Sequence, residues 1–310
     1  MSKLPPSKPT PLRTTDPDRG SGSRTQAADE FQPGSRIGDY MVERLIAHGG
    51  CGHVYAAEHT VLGRRAALKV LRRDLSTAQD AVNRFVREAR AVNAIRHPNI
   101  VDIYEFGRLP DGRPYHVMEL LEGDELEAIL RHDGPFSPAR ALEVLRPVCS
   151  AVEAAHAMGV IHRDLKASNI MLGTRDGQPL VKLLDFGIAK LIDRSAIGVT
   201  TSTPIGQHIG TPYAMAPEQI RGTAVDARTD VYAMGVLLFQ LLTGRVPFQA
   251  DDNQEIERMH LTLEPPKPSR YVDVSPQVDM VVLCCMAKQP EARYPSVRAF
   301  LAALEAAVAA

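Results

Sequence analysis

Apolar positions follow a mostly strand-like period in the first part of this chain and a mostly helical one in the second. Between Tyr40 and Leu71 they alternate with polar ones. Tyr40 to Ile46, His53 to His59 and Arg65 to Leu71 each read as a short strand, with glycine-containing turns between them. The spacing then predicts a helix from about Ala81 to Ile95, with Phe85, Glu88, Val92 and Ile95 on one face. Ile100 to Leu109 and Arg113 to Met118 read as a hairpin around Pro110-Asp111-Gly112. Beyond Gly123 the period is helical. Ser137 caps a helix that Pro138 opens, Leu142, Leu145, Val148, Val152 and Ala155 recur along it, and Gly159 ends it. Pro147 inside it predicts a local kink. Two short strand pairs are expected around residues 160–185. A long apolar helix should run from about Thr229 to Leu242 and stop at Gly244, with further helices near 253–260, 277–287 and 296–307. The expected class is α+β: a β-rich lobe over about 40–118, a helix-rich lobe over about 124–304, and residues 119–123 joining them.

Composition sets residues 1–36 apart. Pro, Gly, Ser and Thr supply 18 of these 36 residues, and Leu4, Leu12 and Phe31 are its bulky apolar side chains. Such a segment cannot repay its ordering entropy by burial, so it is expected to be a disordered leader. Over the whole chain 44% of residues are apolar, enough for a large core, and the formal net charge is −1. That balance gives no electrostatic reason to expect nucleic acid or an anionic membrane as partner. No signal peptide is visible, and the longest apolar run, Val231 to Leu242, is too short to span a bilayer. Cys51, Cys149, Cys284 and Cys285 form no C-x-x-C pair and no metal-ligand spacing, which suits a reducing, cytoplasmic setting.

The chemistry centres on His162-Arg163-Asp164-Leu165-Lys166-Ala167-Ser168-Asn169. Asp185-Phe186-Gly187 begins 21 residues after Asp164, and Gly210-Thr211-Pro212 and Ala216-Pro217-Glu218 follow. In this order and at this spacing the motifs resemble those of the eukaryotic-like (Hanks-type) serine/threonine protein kinases, in the style of the bacterial branch. The resemblance covers Tyr40 to about Leu304. It implies a bilobal kinase fold and an enzyme that uses ATP and Mg²⁺ to phosphorylate protein Ser/Thr hydroxyls.

Phosphoryl transfer needs positioning and charge neutralisation more than covalent chemistry, so each part can be sought by its physical task. A phosphate cover should be Ile46-Ala47-His48-Gly49-Gly50-Cys51-Gly52-His53-Val54, where glycines let backbone N–H groups approach the phosphates; Ala47 stands where the family pattern has its first glycine. Lys69, in an apolar strand, matches the cation for the α/β-phosphates. Glu88 is on the apolar face of its helix, where an unpaired charge is costly, and Lys69 is its obvious partner. By resemblance, Asp164 is the base, Lys166 sits by the γ-phosphoryl, and Asn169 and Asp185 are oxygen ligands for Mg²⁺. Met118 is the implied gatekeeper, and backbone groups of Glu119 and Leu121 would take the adenine edge. The 34 residues from Asp185 to Glu218 form the implied activation loop, with Thr201 and Thr203 as phosphosites that Arg163 would bind, and Thr211 contacting Asp164 and Lys166. Asp230 matches the aspartate that holds the catalytic-loop backbone, and Arg293 the arginine that pairs with Glu218.

Cys51 has two readings: a small residue tolerated between glycines, or a redox-sensitive thiol whose pKa a nearby cation depresses. Two other function classes compete with this reading. A pseudokinase or docking scaffold has Ala47 in its favour and Lys69, Glu88, Asp164, Asn169 and Asp185 against it. A small-molecule phosphotransferase is opposed by the segment from Gly210 to Glu218. Some relatives associate back to back through the N-lobe, so a homodimer of that kind is a further implied partner. The chain closes soon after the last predicted helix, so regulation is expected through the activation loop, the leader or a soluble partner.

Overall fold

The computed structural model describes residues 30–175, 177–186 and 212–310. The alternating first part forms β1 (Arg36–Ile37), β2 (Tyr40–His48), β3 (Gly52–His59) and β4 (Arg65–Leu71). Helices α1 (Arg73–Ser76) and α2 (Gln79–Ile95) follow, then β5 (Ile103–Arg108) and β6 (Pro114–Met118). The sheet order is β1-β2-β3-β4-β6-β5, antiparallel throughout. Alternation sorts β4 between two faces. Leu68 and Val70 join Tyr55, Tyr115 and Val117 in the outer cluster, while Leu71 packs with Val82 and Phe85 of α2. Lys69 shares the parity of Leu71 and so faces α2. The β5–β6 turn needs Gly112 at φ +88°, and its N–H donates to the Leu109 carbonyl at 2.9 Å.

One expectation is corrected here. Residues 30–36, assigned to the disordered leader, are folded onto the sheet. The Phe31 ring stands edge-on to Tyr55 with centroids 5.8 Å apart, and the Phe31 N–H donates to the Tyr55 hydroxyl at 3.3 Å. Arg36 begins β1. The apolar outer face of the sheet supplies the burial that the leader's own composition lacks. Residues 1–29 lie outside the described residues.

The second lobe runs β7 (Gly123–Glu125), α3 (Leu126–Asp133), α4 (Pro138–Ala157), β8 (Ile170–Arg175), β9 (Gln178–Leu183), α5 (Pro217–Arg221), α6 (Ala227–Thr243), α7 (Asn253–Thr262), α8 (Pro276–Cys285) and α9 (Val297–Ala309). The Ser137 hydroxyl caps α4 by accepting the Arg140 N–H at 3.2 Å, and the helix runs on through Pro147. The two strand pairs expected around 160–185 are instead one three-stranded sheet, β7-β8-β9. Residues 161–166 form no strand because the N–H groups of His162 and Arg163 are taken by the Asp230 carboxylate. Among the described residues no helix is long and apolar enough to cross a membrane.

Helix α6 is the central post of this lobe. Fourteen of its 17 residues are buried, so it is apolar all round rather than along one stripe. It packs against α4, α8 and α9. Gly235 permits the approach of α8: a Cβ there would stand 2.5 Å from the Cys285 Cβ and 3.0 Å from the Met286 Cγ. Gly235→Val should therefore overpack this contact and lower stability by about 1–3 kcal/mol, read as a reduced urea midpoint with unchanged slope.

Candidate active site

The site lies where the two lobes meet. Lys69 on β4 is buried, and its ammonium is 3.3 Å from the Glu88 carboxylate on α2 and 2.8 Å from Asp185. The helical spacing that put Glu88 among Phe85, Ala89 and Val92 is what delivers it to the lysine. Burial works against the Lys69 charge, but the carboxylates of Asp185 and Glu88 outweigh it and raise the pKa above the usual lysine value. Glu88 shows the opposite balance. Burial pushes its carboxyl up to about 7, although Lys69 pulls it down. Two carboxylates thus face one ammonium.

The phosphate-cover segment is the turn between β2 and β3. The Gly49 N–H donates to the Gly52 carbonyl at 2.8 Å. Gly52 is required by contact, since a Cβ would come 2.5 Å from the Val70 carbonyl oxygen. Ala47 pairs with Val54 inside the ladder, so its methyl is accommodated in a strand rather than in the turn. Ile46 is exposed, Gly50 lies in the turn, and His48 and His53 face each other with Nδ1 atoms 3.3 Å apart. The redox reading of Cys51 is corrected: burial pushes its thiol up, and the Lys69 charge only partly offsets that.

The catalytic-loop segment hangs from α6. Asp230, fully buried, accepts the N–H groups of His162 and Arg163, each at 2.8 Å, and bonds His156 Nε2 at 2.7 Å. These bonds hold Arg163 at φ +68°, a conformation uncommon for a residue with a side chain. The Gln219 side-chain amide donates to the Arg163 carbonyl at 3.0 Å, so α5 braces the same loop. Arg293 anchors α5 in turn, donating to both oxygens of Glu218 at 2.7 and 2.8 Å. The His162 ring packs on Phe186, with centroids 4.5 Å apart, which ties the loop to the segment carrying Asp185.

Asp164 and Lys166 sit side by side, with Nζ 3.0 Å from the carboxylate. The Asn169 amide nitrogen donates to the Asp164 carbonyl at 2.8 Å and to its carboxylate at 3.3 Å. That leaves the Asn169 amide oxygen and the half-exposed Asp185 carboxylate as donors suited to a hard cation. A cavity of about 240 Å³ adjoins Asp164 and Lys166, walled by Pro212, Met215, Val236 and Leu237.

Met118 is partly buried between the lobes. The Glu119 N–H donates to the Asp102 carbonyl at 2.9 Å, so its carbonyl is the group left for a ligand edge. Leu121 follows two residues on. Motif reading missed His156 and Gln219, which act on the loop's framework, and Lys182, which bonds Glu119. Only proximity to motif residues could have flagged Gln219. Thr201, Thr203, Thr211 and Gly187 lie outside the described residues.

Comparison with known proteins agrees with this geometry. Residues 40–303 match the family described as protein kinase domain. The chain is 46% identical over 279 residues to the serine/threonine-protein kinase Pkn1 of Myxococcus xanthus, covering 89% of this chain and 39% of that protein. It is 41% identical to pkn3 of the same organism, covering 91% and 52%, and 40% identical to PknB of Mycobacterium tuberculosis, covering 82% and 40%. This chain thus spans about half or less of the length of these relatives. Two crystal structures of the M. tuberculosis PknI kinase domain superpose with TM-scores of 0.69 and 0.70 at 27% and 26% identity. They cover 89% and 91% of this chain and 99% and 100% of their own.

The raised Glu88 pKa has a measurable sign. The folded chain holds this proton up to about 7, whereas the unfolded carboxyl releases it near the usual 4.5. The associated stability is fully present below 4.5 and is lost as pH rises through about 7. Urea unfolding between about pH 5 and pH 8 should show stability falling with pH, and Glu88→Gln should flatten that slope.

Proposed function

Because the chain belongs to the protein kinase family, in its bacterial Hanks-type branch, we propose that it transfers the γ-phosphoryl of ATP to serine and threonine hydroxyls of proteins. The observation that carries this is the convergence on one cleft of two separated lysines and the acidic groups they contact: Lys69 with Glu88 and Asp185, and Lys166 with Asp164. Lys69 holds the α/β-phosphates and is kept in place by Glu88. Asp164 accepts or orients the proton of the attacking hydroxyl, and Lys166 offsets charge on the phosphoryl group in flight. The glycine turn from Ile46 to Val54 covers the phosphates, while the carbonyl of Glu119 and the N–H of Leu121 take the adenine edge behind Met118. Asn169 and Asp185 would hold Mg²⁺, which when bound neutralises phosphate charge. The cavity beside Asp164 receives the acceptor segment of the protein substrate.

Regulation by phosphorylation at Thr201 and Thr203 belongs to the same reading. Its support is Arg163, half-buried, whose Nε has no hydrogen-bond partner among the described residues and whose pKa burial lowers. A phosphate brought to it would gain a charge-assisted pair. A cytoplasmic setting is supported by the four cysteines, all free thiols. An N-lobe homodimer is supported by Val61 and Leu62, 83% and 73% exposed after β3.

The purified chain should label itself and generic protein substrates with ATP and Mg²⁺. Asp164→Asn should retain at most about one-hundredth of that rate, and mapped phosphosites should include Thr201 or Thr203. No transfer by the unaltered chain would sink the enzyme reading; equal labelling by Asp164→Asn would remove Asp164 from its role. For the dimer, sedimentation should show a concentration-dependent species that Leu62→Asp abolishes.

A further inference from the structure

A glutamate in the connection between two lobes would ordinarily point to water. Glu119 is only 4% exposed, and its hydrogen bonds among the described residues join separate parts of the molecule. Its carboxylate accepts the Asp102 backbone N–H at 2.9 Å, while its own N–H donates to the Asp102 carbonyl at 2.9 Å. The connection and the segment after α2 are therefore clipped together in both directions. The same carboxylate accepts from Lys182 Nζ on β9 and from an Arg175 guanidinium N–H on β8.

Lys182 is the centre of the second clip. It is 1% exposed, and its ammonium also donates to the Ile100 carbonyl at 3.0 Å. On either side of it β9 is bonded to the same segment. The Leu183 N–H donates to the Asn99 carbonyl at 2.8 Å, and the Val101 N–H to the Leu183 carbonyl at 3.0 Å. The Asn99 side chain donates to the Val181 carbonyl at 2.9 Å. Asp185 lies three residues beyond Lys182. One carboxylate thus links the inter-lobe connection, the segment after α2 and the strand that leads to Asp185.

A buried ion pair is a poor device for stability alone, because an apolar pair of similar volume often serves as well. It is a good device for orientation, because each of its hydrogen bonds has a direction. The peptide it fixes carries the Glu119 carbonyl, which the proposed function assigns to the nucleobase. We propose that Glu119, held by Lys182 and Arg175, is a positioning residue for base selection: it sets the carbonyl and N–H groups of residues 119–121 so that adenine is accepted and guanine refused. This rests on the reading that those backbone groups take the nucleobase. The side chain touches no substrate; it acts through the backbone it orients.

The test compares steady-state kinetics with ATP and with GTP, together with thermal unfolding, for the whole chain and three variants. Glu119→Leu combined with Lys182→Met removes both charges and leaves neither orphaned. It should unfold near the unaltered temperature, raise the ATP KM about fivefold, change kcat less than KM, and reduce the ATP-over-GTP preference in kcat/KM by about fivefold, the scale of one lost hydrogen bond. Glu119→Asp, which keeps the charge but withdraws it by one methylene, should give the same pattern at smaller size. Arg175→Gln, altering a half-exposed arm, should shift the preference by about twofold and keeps the test open if the double variant does not fold. Folded variants whose ATP-over-GTP preference equals that of the unaltered chain overturn the proposal, as does a fall in kcat with the preference intact. An unaltered chain that shows no preference for ATP defeats the nucleobase reading itself, and the proposal with it.

Discussion

Asp230 has no exposure to water and, among the described residues, no lysine or arginine bonded to its carboxylate. What it has instead is two backbone N–H groups and an imidazole. A carboxylate in that setting is stable only while those donors stay in place, since an orphaned buried charge costs several kcal/mol. The requirement runs both ways. Arg163 keeps its left-handed backbone only while its N–H is held by Asp230 and its carbonyl by Gln219. The placement of Asp164, one residue on, follows from that turn. Helix α6 carries Asp230 near its start, and its apolar girth packs it against α4, α8 and α9. The chemistry of the cleft is therefore referenced to a deeply packed helix.

The upper side of the cleft works differently. Lys69, Glu88 and Asp185 come from a strand, a helix and a loop, and they carry a surplus of one negative charge when all are ionised. Burial is the main cause of the raised proton affinity of Glu88, with the Asp185 charge adding to it, and a proton held there removes that surplus. A bound cation beside Asp185 would relieve it in another way. On the lower side a buried carboxylate is balanced by backbone dipoles, whereas on the upper side two carboxylates share one ammonium.

Much of this was legible in the sequence, for a definable reason. Asp164, Lys166 and Asn169 fall within six residues, so local order alone brings them together. Glu88 could be found because a carboxylate on an apolar helical face demands a partner. Asp230 and Arg293 could be matched by motif, and both make the bonds expected of them. What escaped were contacts without a local signature. Glu119 and Lys182 stand 63 positions apart, and although the resemblance marks the Glu119 backbone for the adenine edge, nothing local pairs its side chain with Lys182. The strand pairs expected around 160–185 failed for a related reason, since nothing local says that the amides of His162 and Arg163 are claimed by a residue on a distant helix.

Phe31 and β1 give the outer sheet a border that family boundaries do not contain, for the matching region begins at residue 40. A fragment cut there would lose the two residues that pair with β2 and the ring that covers Tyr55. β2 would then lose its cover at residues 40–42, leaving unpaired backbone groups beside uncovered aromatic surface, which is the setting in which sheets stick to one another. The few residues ahead of the matching region thus act as a selvedge, covering the start of β2 and the Tyr55 ring that a neighbouring sheet could otherwise reach.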